Sequence, residues 1–199
     1  MKATRYATAI LSGALLLTMA VPAQGQIDDV RWLPFIGCWQ LVDAGADGEL
    51  LCFRPAPAGV EMTSYASGEP VATETLIADG QARTIVAEGC DGLESVSFSA
   101  DGRRAFTRSE IICGDDPRSG TGVMALIEPT RWVDVRALDV QGEQVGWTQE
   151  YALVGLERMV QDGIPDPAAG IEGSVRGARL LAARDIELDD VTEAVGIID

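Results

Sequence analysis

The residues best suited to bind a small molecule alternate along two neighbouring segments, 131–139 and 143–152. A Gln-Gly pair between them predicts a tight antiparallel hairpin, since glycine readily takes the positive φ that such turns need. This hairpin brings six side chains to one face: Trp132, Asp134, Arg136, Trp147, Gln149 and Tyr151. Small-molecule pockets are built from aromatic surfaces with a few polar groups, and Arg136 can hold a carboxylate or stack on Trp147. The hairpin is therefore the first candidate ligand site.

The same residues also have a purely structural interpretation. Asp134 and Arg136 can form an ion pair while the aromatic rings pack as core, because large aromatic side chains mostly serve packing. The other face of this region is equally apolar, with Met124, Leu126, Val133, Val135 and Ala137. The sequence therefore leaves open which face of these strands points inward.

The elements that must position this hairpin form a regular series of short strands. Alternating segments separated by turn signals predict strands at 36–43, 49–54, 59–66, 71–78, 82–88, 93–99, 104–112, 121–128, 131–139 and 143–152. Strands at this spacing are typical of an all-β sandwich or barrel. We predict an all-β fold, an antiparallel up-and-down meander barrel of eight to ten strands with a short helical C-terminal appendage.

The first predicted hairpin also sorts side chains into two faces. With Cys38 opposite Cys52, one face carries Trp39, Phe53, Val60, Met62, Val71 and Ile77, and the other carries Gln40, Arg54, Glu61, Glu74 and Arg83. One apolar and one wet face suit a sheet that wraps around an interior. Phe53 and Met62 are therefore further candidates for ligand contact.

Four cysteines in an exported chain predict disulfides. Cys38 and Cys52 are symmetric about a predicted turn at Gly45, and Cys90 and Cys113 are symmetric about an Asp-Gly turn. Directly opposed residues of antiparallel strands come within disulfide range. Of the three possible connectivities, we predict 38–52 and 90–113. Zinc held by four thiolates is the alternative, but the sequence has no C-x-x-C spacing.

The first residues are predicted to be a secretory signal. Residues 1–25 combine a basic start, an uncharged apolar run and small residues that permit cleavage near residues 23–25. We therefore expect an exported protein, periplasmic or extracellular. Cleavage removes Lys2 and Arg5 and no acidic residue, which takes the net charge from −16 to −18. Because so acidic a surface repels nucleic acid and anionic membranes, neither is an expected partner, and the apolar run is short for a membrane span.

The remaining chain divides into a barrel at 26–152 and an extension at 153–199. The extension begins with a linker, and helical spacing or capping residues then occur at 174–184 and 189–196. The helices are too short to bury a core of their own. We expect them to dock on the barrel or on a partner.

The chain contains no histidine. This excludes Ser-His-Asp and Cys-His catalysis, zinc or copper sites with histidine ligands, and haem held by a proximal histidine. Carboxylate pairs occur, as in CGDDPRSG at 113–120, but Asp and Gly are ordinary turn residues and no EF-hand spacing is present. We predict no catalytic residue, no metal site and no cofactor.

The stretch WLPFIGCW resembles the entry of lipocalin and wider calycin barrels, and of uncharacterised secreted bacterial lipocalin-like families. Gly37 and Trp39 match the Gly-x-Trp of that group at the first strand, after a short helical or 3₁₀ lead-in. The resemblance implies that the glycine lets the incoming segment close the barrel bottom and that the tryptophan plugs it. It also implies an arginine packed on the tryptophan, for which Arg136 is the nearest candidate.

The resemblance has departures. Lipocalins proper have eight strands, whereas the ten predicted strands are closer to fatty-acid-binding or nitrobindin-like barrels. Nitrobindin-like proteins bind haem through a histidine, so haem binding is not expected here. CWQL followed by Cys52 also loosely resembles small bacterial barrel inhibitors of secreted metalloproteases.

Three functions are compatible with the sequence, and we give them from the most to the least favoured. The first is binding of a small apolar or amphipathic molecule inside the barrel by Arg136, Trp147, Tyr151, Trp132, Asp134, Phe53 and Met62. The second is a protein-interaction or protease-inhibitor-like module that acts through loops or C-terminal helices, and the third is a cofactor-free isomerase or lyase. A cavity of several hundred cubic ångströms favours the first, a filled interior the second, and a charge-isolated carboxylate beside Arg136 the third. Ligand identity and oligomeric state are left open.

Overall fold

The computed structural model describes residues 28–45, 48–87 and 89–184. Within these residues, a 3₁₀ helix (Val30–Phe35) leads into ten strands and two helices. The strands are β1 (Gly37–Leu41), β2 (Leu50–Ala56), β3 (Gly59–Ala66), β4 (Glu69–Leu76), β5 (Arg83–Ala87), β6 (Cys90–Phe98), β7 (Arg104–Cys113), β8 (Asp116–Glu128), β9 (Arg131–Val140) and β10 (Glu143–Leu153). The helices are α1 (Leu156–Gln161) and α2 (Glu172–Ala182). The predicted signal segment and the predicted helical segment 189–196 lie outside the described residues.

The ten described strands form one antiparallel sheet in the order β4-β3-β2-β1-β10-β9-β8-β7-β6-β5. β1 pairs with both β2 and β10, so β4 and β5, which follow each other in the chain, become the two edges. The sheet curls until the segment after β4 reaches β6, where Asp79 bridges Ser97. The predicted all-β, up-and-down, barrel-like fold with short C-terminal helices is confirmed.

The last hairpin has the predicted register. Gln141 and Gly142 have φ angles of 56° and 87°. Positive φ at both central residues is typical of the type I′ turn, whose twist matches that of the flanking strands. Arg136 consequently lies opposite Trp147, as the sequence predicts.

The predicted faces of β4 are wrong. The prediction places Val71 inward and Glu74 outward, but Glu74 lies opposite the inward-facing Met62, and Val71 is 59% exposed. The cause is a β-bulge in β4: Tyr65 lies opposite Pro70 and Ser64 lies opposite Ala72, so Val71 is an extra residue without a partner. A shift of one residue in register moves every side chain of a strand to the opposite face.

The faces of β8 and β9 also differ from expectation. Met124 lies opposite Asp134 and Leu126 lies opposite Trp132, so these four side chains share the inner face. The expectation that Met124 and Leu126 lie on the face away from Trp132 is therefore wrong. The outer face carries a second apolar cluster, whose fully buried members are Val123, Ala125, Val133 and Val135. Both faces are buried here, which explains why apolar patterning alone does not identify the inner one.

The barrel interior is filled at one end, which we call the closed end, where the 3₁₀ helix and α2 lie. Its largest buried side chains are Trp32, Phe35, Ile36, Trp39, Phe53, Val60, Leu126 and Trp132. The ring of Trp132 meets those of Phe53 and Trp39 edge to face, with centroids 5.9 and 6.3 Å apart. Such contacts stabilise beyond simple burial. Val175 and Ala182 of α2 belong to the same cluster.

The two C-terminal helices have different positions. Met159 of α1 and Ile164 of the following loop pack with the Cys38–Cys52 disulfide, Leu50 and Tyr65 on the outer face of β1–β3. The predicted helix at 174–184 corresponds to α2, which begins and ends two residues earlier. The sequence does not predict α1, because this helix has only six residues and its N-cap, Gly155, has no side chain to accept a capping hydrogen bond.

Both predicted disulfides are present. Cys38–Cys52 joins β1 to β2 and Cys90–Cys113 joins β6 to β7, with Cα atoms 4.0 and 4.1 Å apart. Each bond joins directly opposed residues of neighbouring antiparallel strands. The symmetry of the cysteines about predicted turns was therefore a sound guide to pairing.

Candidate functional site

The half of the interior away from the closed end contains an open cavity of about 290 Å³. We call this cavity the cup. It is lined chiefly by Thr107, Ser109, Asp134, Arg136, Trp147 and Gln149. Residues 143–148 of β10 are exposed here, whereas 149–153 become partly buried toward the closed end. The cup is thus open to solvent above a filled base.

The centre of the cup is an ion pair between Arg136 and Asp134. The Arg136 Nε–H donates to the two Asp134 carboxylate oxygens at 2.7 and 3.0 Å, and an Nη1–H donates to Thr107 Oγ1 at 3.1 Å. Asp134 is only 8% exposed. Burial raises the pKa of Asp134, and the positive charge of Arg136 offsets part of that rise. The pair is therefore a fixed polar centre, in which Asp134 is buried and the Arg136 side chain is 31% exposed to the open cup.

Two glycines of β8 make room for this centre. Gly122 lies opposite Arg136, and a Cβ there would come within 2.6 Å of both Arg136 Cδ and Thr107 Oγ1. A Cβ on Gly120 would come within 2.7 Å of Ser109 Oγ. Because packed atoms do not approach so closely, a side chain at either position would displace the polar groups of the cup. The SGTG sequence at 119–122 is a signal of the site that the sequence analysis missed.

Four of the predicted ligand-binding residues lie below the cup. Trp132 and Phe53 are 1% and 0% exposed and belong to the filled closed end. Tyr151 stacks on Trp132 with ring centroids 4.3 Å apart, and Met62 packs against the same core. Burial raises the pKa of Tyr151, and the nearby charge of Asp134 raises it further. These side chains form the floor beneath the polar centre.

Trp147 differs from the other aromatic candidates because its side chain is 42% exposed. It lies directly opposite Arg136, and Gln149 lies opposite Asp134. The Tyr151 hydroxyl donates to Gln149 Oε1 at 3.4 Å, which joins the floor to the wall of the cup. The structure thus brings Asp134, Arg136 and Trp147 together at one open surface, as the sequence predicts for this hairpin.

A smaller cavity of about 190 Å³ lies beside the cup, lined by residues of β4, β5 and β6. Glu74 and Glu94 both line it; Glu74 is exposed and Glu94 is partly buried. Glu94 lies opposite Ser109 of the cup. Burial raises the pKa of Glu94, the charge of Glu74 raises it further, and Arg136 lowers it. The sequence analysis missed Glu94 and put Glu74 on the outer face, because the bulge at Val71 that reverses the face of β4 has no obvious sequence mark.

The Gly-x-Trp motif lies at the closed end. Gly37 has a φ of 138°, and a Cβ there would lie 2.6 Å from Arg179 Nη2, so only glycine fits. Trp39 is fully buried and donates its Nε1–H to the Phe35 carbonyl at 2.7 Å. The Arg179 guanidinium lies 5.0 Å from the Trp39 ring centroid. The arginine on the tryptophan is therefore Arg179, and the expectation of Arg136 is wrong.

Arg179 reaches this position because α2 crosses the closed end. Its Nε–H donates to the Pro34 carbonyl at 3.1 Å, and its Nη2–H donates to the Ile36 carbonyl. Burial lowers the pKa of Arg179 to about 10, although the charge of Asp166 opposes that shift. Arg179 thus ties α2 to the 3₁₀ helix and to the start of β1.

Two statements about ions and membranes hold for residues 28–45, 48–87 and 89–184. Within that part of the chain, no three His, Cys, Asp or Glu side chains are grouped so that they could hold a metal ion. None of its helices combines the length and the apolar character needed to cross a membrane.

Comparison with known proteins finds structural similarity at low sequence identity. No protein-family model and no curated protein matches the sequence. Two solved structures from Ramazzottius varieornatus are similar: a secretory abundant heat soluble (SAHS) protein, with 6% identity and a TM-score of 0.42, and SAHS protein 4, with 13% identity and a TM-score of 0.39. Each match covers 61% of this chain and 96% of the other. The narrower assignment to a secreted bacterial family gains no support from these matches.

Proposed function

We propose that this chain is an exported, lipocalin-like protein that binds a small apolar or amphipathic molecule in the cup. The supporting observation is a contrast within one barrel. Aromatic side chains fill the closed end, whereas two glycines and an ion pair leave about 290 Å³ open in the other half. Ligand sites are typically cavities of about 300–1,000 Å³ with a few fixed polar groups. The volume of the cup lies just below that range, which favours a small ligand.

The polar centre would orient the ligand. Asp134 holds the Arg136 guanidinium through two hydrogen bonds, so its position is set before a ligand arrives. Preorganisation of this kind lowers the cost of ordering the site on binding. The exposed Trp147 indole would cover the apolar part of the ligand, above the floor formed by Trp132 and Tyr151.

The compartment also belongs to this proposal. Two disulfides favour an oxidising environment, and the predicted signal at residues 1–25 supplies the route to it. A periplasmic or extracellular protein that carries a small molecule fits both features.

One observation favours the second candidate function, a protein-interaction module. The outer face of β6–β8 carries a groove of about 600 Å³. Leu93 and Ile112 in this groove are 46% and 58% exposed, and Asp91, Glu110 and Asp139 surround them. This alternative predicts that Leu93→Ser with Ile112→Ser abolishes association with the partner protein and leaves ligand binding in the cup unchanged.

The isomerase or lyase alternative has less support. It requires a charge-isolated carboxylate beside Arg136 to act as a base. The carboxylate at that position is Asp134, and both of its oxygens accept a hydrogen bond from the Arg136 Nε–H. Asp134 is therefore paired and not charge-isolated.

Native mass spectrometry of the protein purified from its source tests the binding function. We expect a retained small molecule of defined mass, lost in Trp147→Ala but kept in the control Val71→Ala, which alters an exposed apolar side chain of β4 outside the lining of the cup. Both variants should melt close to the wild type. Absence of any adduct, or its full retention in Trp147→Ala, would argue against the cup as the site.

A further inference from the structure

Helix α2 has one buried face and one face exposed to solvent. Val175 and Ala182 pack into the closed end, whereas Leu180 and Leu181 are 56% and 71% exposed. Because these two leucines are adjacent, they form one apolar patch and not two scattered contacts with water. Within the part of the chain that the structure describes, this patch is uncovered.

The same exposed face contains two glycines. With about 3.6 residues per turn, Gly173, Gly177 and Leu180 lie along one side of α2, opposite Val175 and Ala182. A Cβ at either glycine would meet no neighbouring element within 4 Å. Glycine weakens a helix, and no contact among the described residues requires it at these positions. A surface without side chains beside an apolar patch is suited to the close approach of another segment.

A segment with a matching apolar side follows α2 in the chain. Within residues 188–198, Leu188, Val191, Val195 and Ile198 are three or four residues apart. This spacing places the four side chains on one side of a helix. The sequence therefore supplies an apolar stripe that could cover the patch on α2.

The connection is short enough for this segment to fold back on α2. Residues 183–187 join Ala182, the last residue of α2, to the segment, and connections between packed helices usually have about two to eight residues. Residues 188–198 and α2 are also equal in length, at 11 residues each. Because the segment is tethered, its local concentration beside α2 is on the order of millimolar.

The charges of the two segments are opposite. Residues 185–199 contain six acidic and no basic residues, whereas residues 172–184 contain three arginines and one glutamate. Arg176 is exposed at the edge of the apolar patch. Attraction between opposite charges therefore favours the acidic segment as the occupant of this face. The α2 face of a second copy would instead bring two positive surfaces together.

We propose that residues 188–198 form a helix that packs against the exposed face of α2. It covers Leu180 and Leu181 and lies across Gly173 and Gly177. The closed end then has two helical layers, because α2 packs on the barrel and the segment packs on α2. This contact is independent of the cup, which lies in the other half of the barrel.

Hydrogen exchange of the whole chain, measured by mass spectrometry, tests this docking. In the wild type we expect the amides of residues 188–198 to exchange about tenfold more slowly than those of an unstructured chain. Leu180→Ser with Leu181→Ser should remove this protection, and so should Val191→Ser with Val195→Ser. Combining the two pairs should cause no further loss, because both pairs break the same contact.

Gly177→Gln tests the position of the segment without weakening α2. Glutamine is a better helix former than glycine, and the added side chain enters space that the described residues leave open. If the segment lies across Gly177, this change should still speed exchange in residues 188–198, while exchange in the ten strands stays the same. The control is Val160→Ser, which alters an exposed apolar side chain of α1 and should leave the protection unchanged.

Three results would overturn the inference. The first is exchange of residues 188–198 in the wild type at the rate of an unstructured chain. The second is protection that survives in the Leu180/Leu181 double variant or in Gly177→Gln. The third is protection that disappears when the protein is diluted, because it would show that the segment docks on a second copy of the chain.

Discussion

The closed end and the cup are built from the same strands but use opposite chemistry. In β9, Trp132 packs at the closed end at 1% exposure, and four residues further on Arg136 lies in an open cavity. In β8, Leu126 fills space at the closed end and Gly122 leaves space in the cup. We therefore expect the closed end to stabilise the fold and the cup to bind the ligand.

This difference has an energetic consequence. Burial of aromatic side chains at the closed end stabilises the fold. The cup contains the buried Asp134 carboxylate, and the adjoining cavity contains the partly buried Glu94 carboxyl group; the desolvation of both groups costs free energy. The stability of the closed end must therefore offset the cost of keeping charged groups in the cup, which is usual for binding sites.

The largest contrast should appear between two tryptophans. Trp39→Ala should lower the free energy of unfolding by about 3–5 kcal/mol, because it removes a fully buried indole. Trp147→Ala should change it by less than about 0.5 kcal/mol, because that side chain is 42% exposed. Urea unfolding of both variants measures this. Similar losses would mean that the two ends of the barrel do not differ as described.

Loss of the Cys38–Cys52 disulfide, near the closed end, should have the next largest effect on stability. Replacing Cys38 and Cys52 by alanine should cost about 3 kcal/mol, the loop-closure value for a bridge of this span. Non-reducing peptide mapping of the wild type should find both the 38–52 and the 90–113 linkages, with no free thiol. A 52–90 or 38–113 linkage would contradict the strand register on which both ends of the barrel depend.

Arg136→Met tests the polar centre of the cup. Its loss leaves the Asp134 carboxylate without its partner, which should cost about 1–3 kcal/mol at pH 7. The cost should shrink in acid, because a protonated Asp134 no longer needs the guanidinium. Adding Asp134→Asn should restore much of the stability in urea unfolding at pH 7. If the double variant is no more stable than Arg136→Met, the ion pair is not the reason for the loss.

Glu94→Gln should have the smallest effect and the opposite sign. Because the folded-state pKa of Glu94 is raised, the folded protein binds its proton more tightly than the unfolded chain does. Stability from this group therefore falls as the pH rises through that pKa. The variant should melt slightly higher than the wild type at pH 7 and equally at pH 4. A lower melting temperature at pH 7 would show that Glu94 stabilises the fold.

Much of the fold could be predicted because local signals agree. Asp-Gly and Gln-Gly turns mark the hairpins, and opposed cysteines fix two registers, so the strands and both disulfides follow from the sequence. The face of β4 could not be predicted in the same way, because a β-bulge at Val71 of β4 shifts the register without an obvious sequence mark.

The candidate site was predicted only in part. Arg136, Asp134 and Trp147 follow from the register of a single hairpin. Glu74 and Glu94 belong to strands that meet only when the sheet curls, and Arg179 reaches Trp39 through a helix far away in the chain. Long-range packing decides such contacts, and no spacing within one segment reveals them.

The most direct test is the indole N–H region of an NMR spectrum, which reports on both halves of the barrel at once. The chain has four tryptophans. Trp32 and Trp39 lie at the closed end, Trp132 forms the floor of the cup, and Trp147 forms its wall. Titration with hexan-1-ol should shift the signal of Trp147 most and that of Trp132 less, and leave those of Trp32 and Trp39 unchanged. Shifts confined to Trp32 and Trp39, with Trp147 unmoved, would contradict the assignment of binding to the cup.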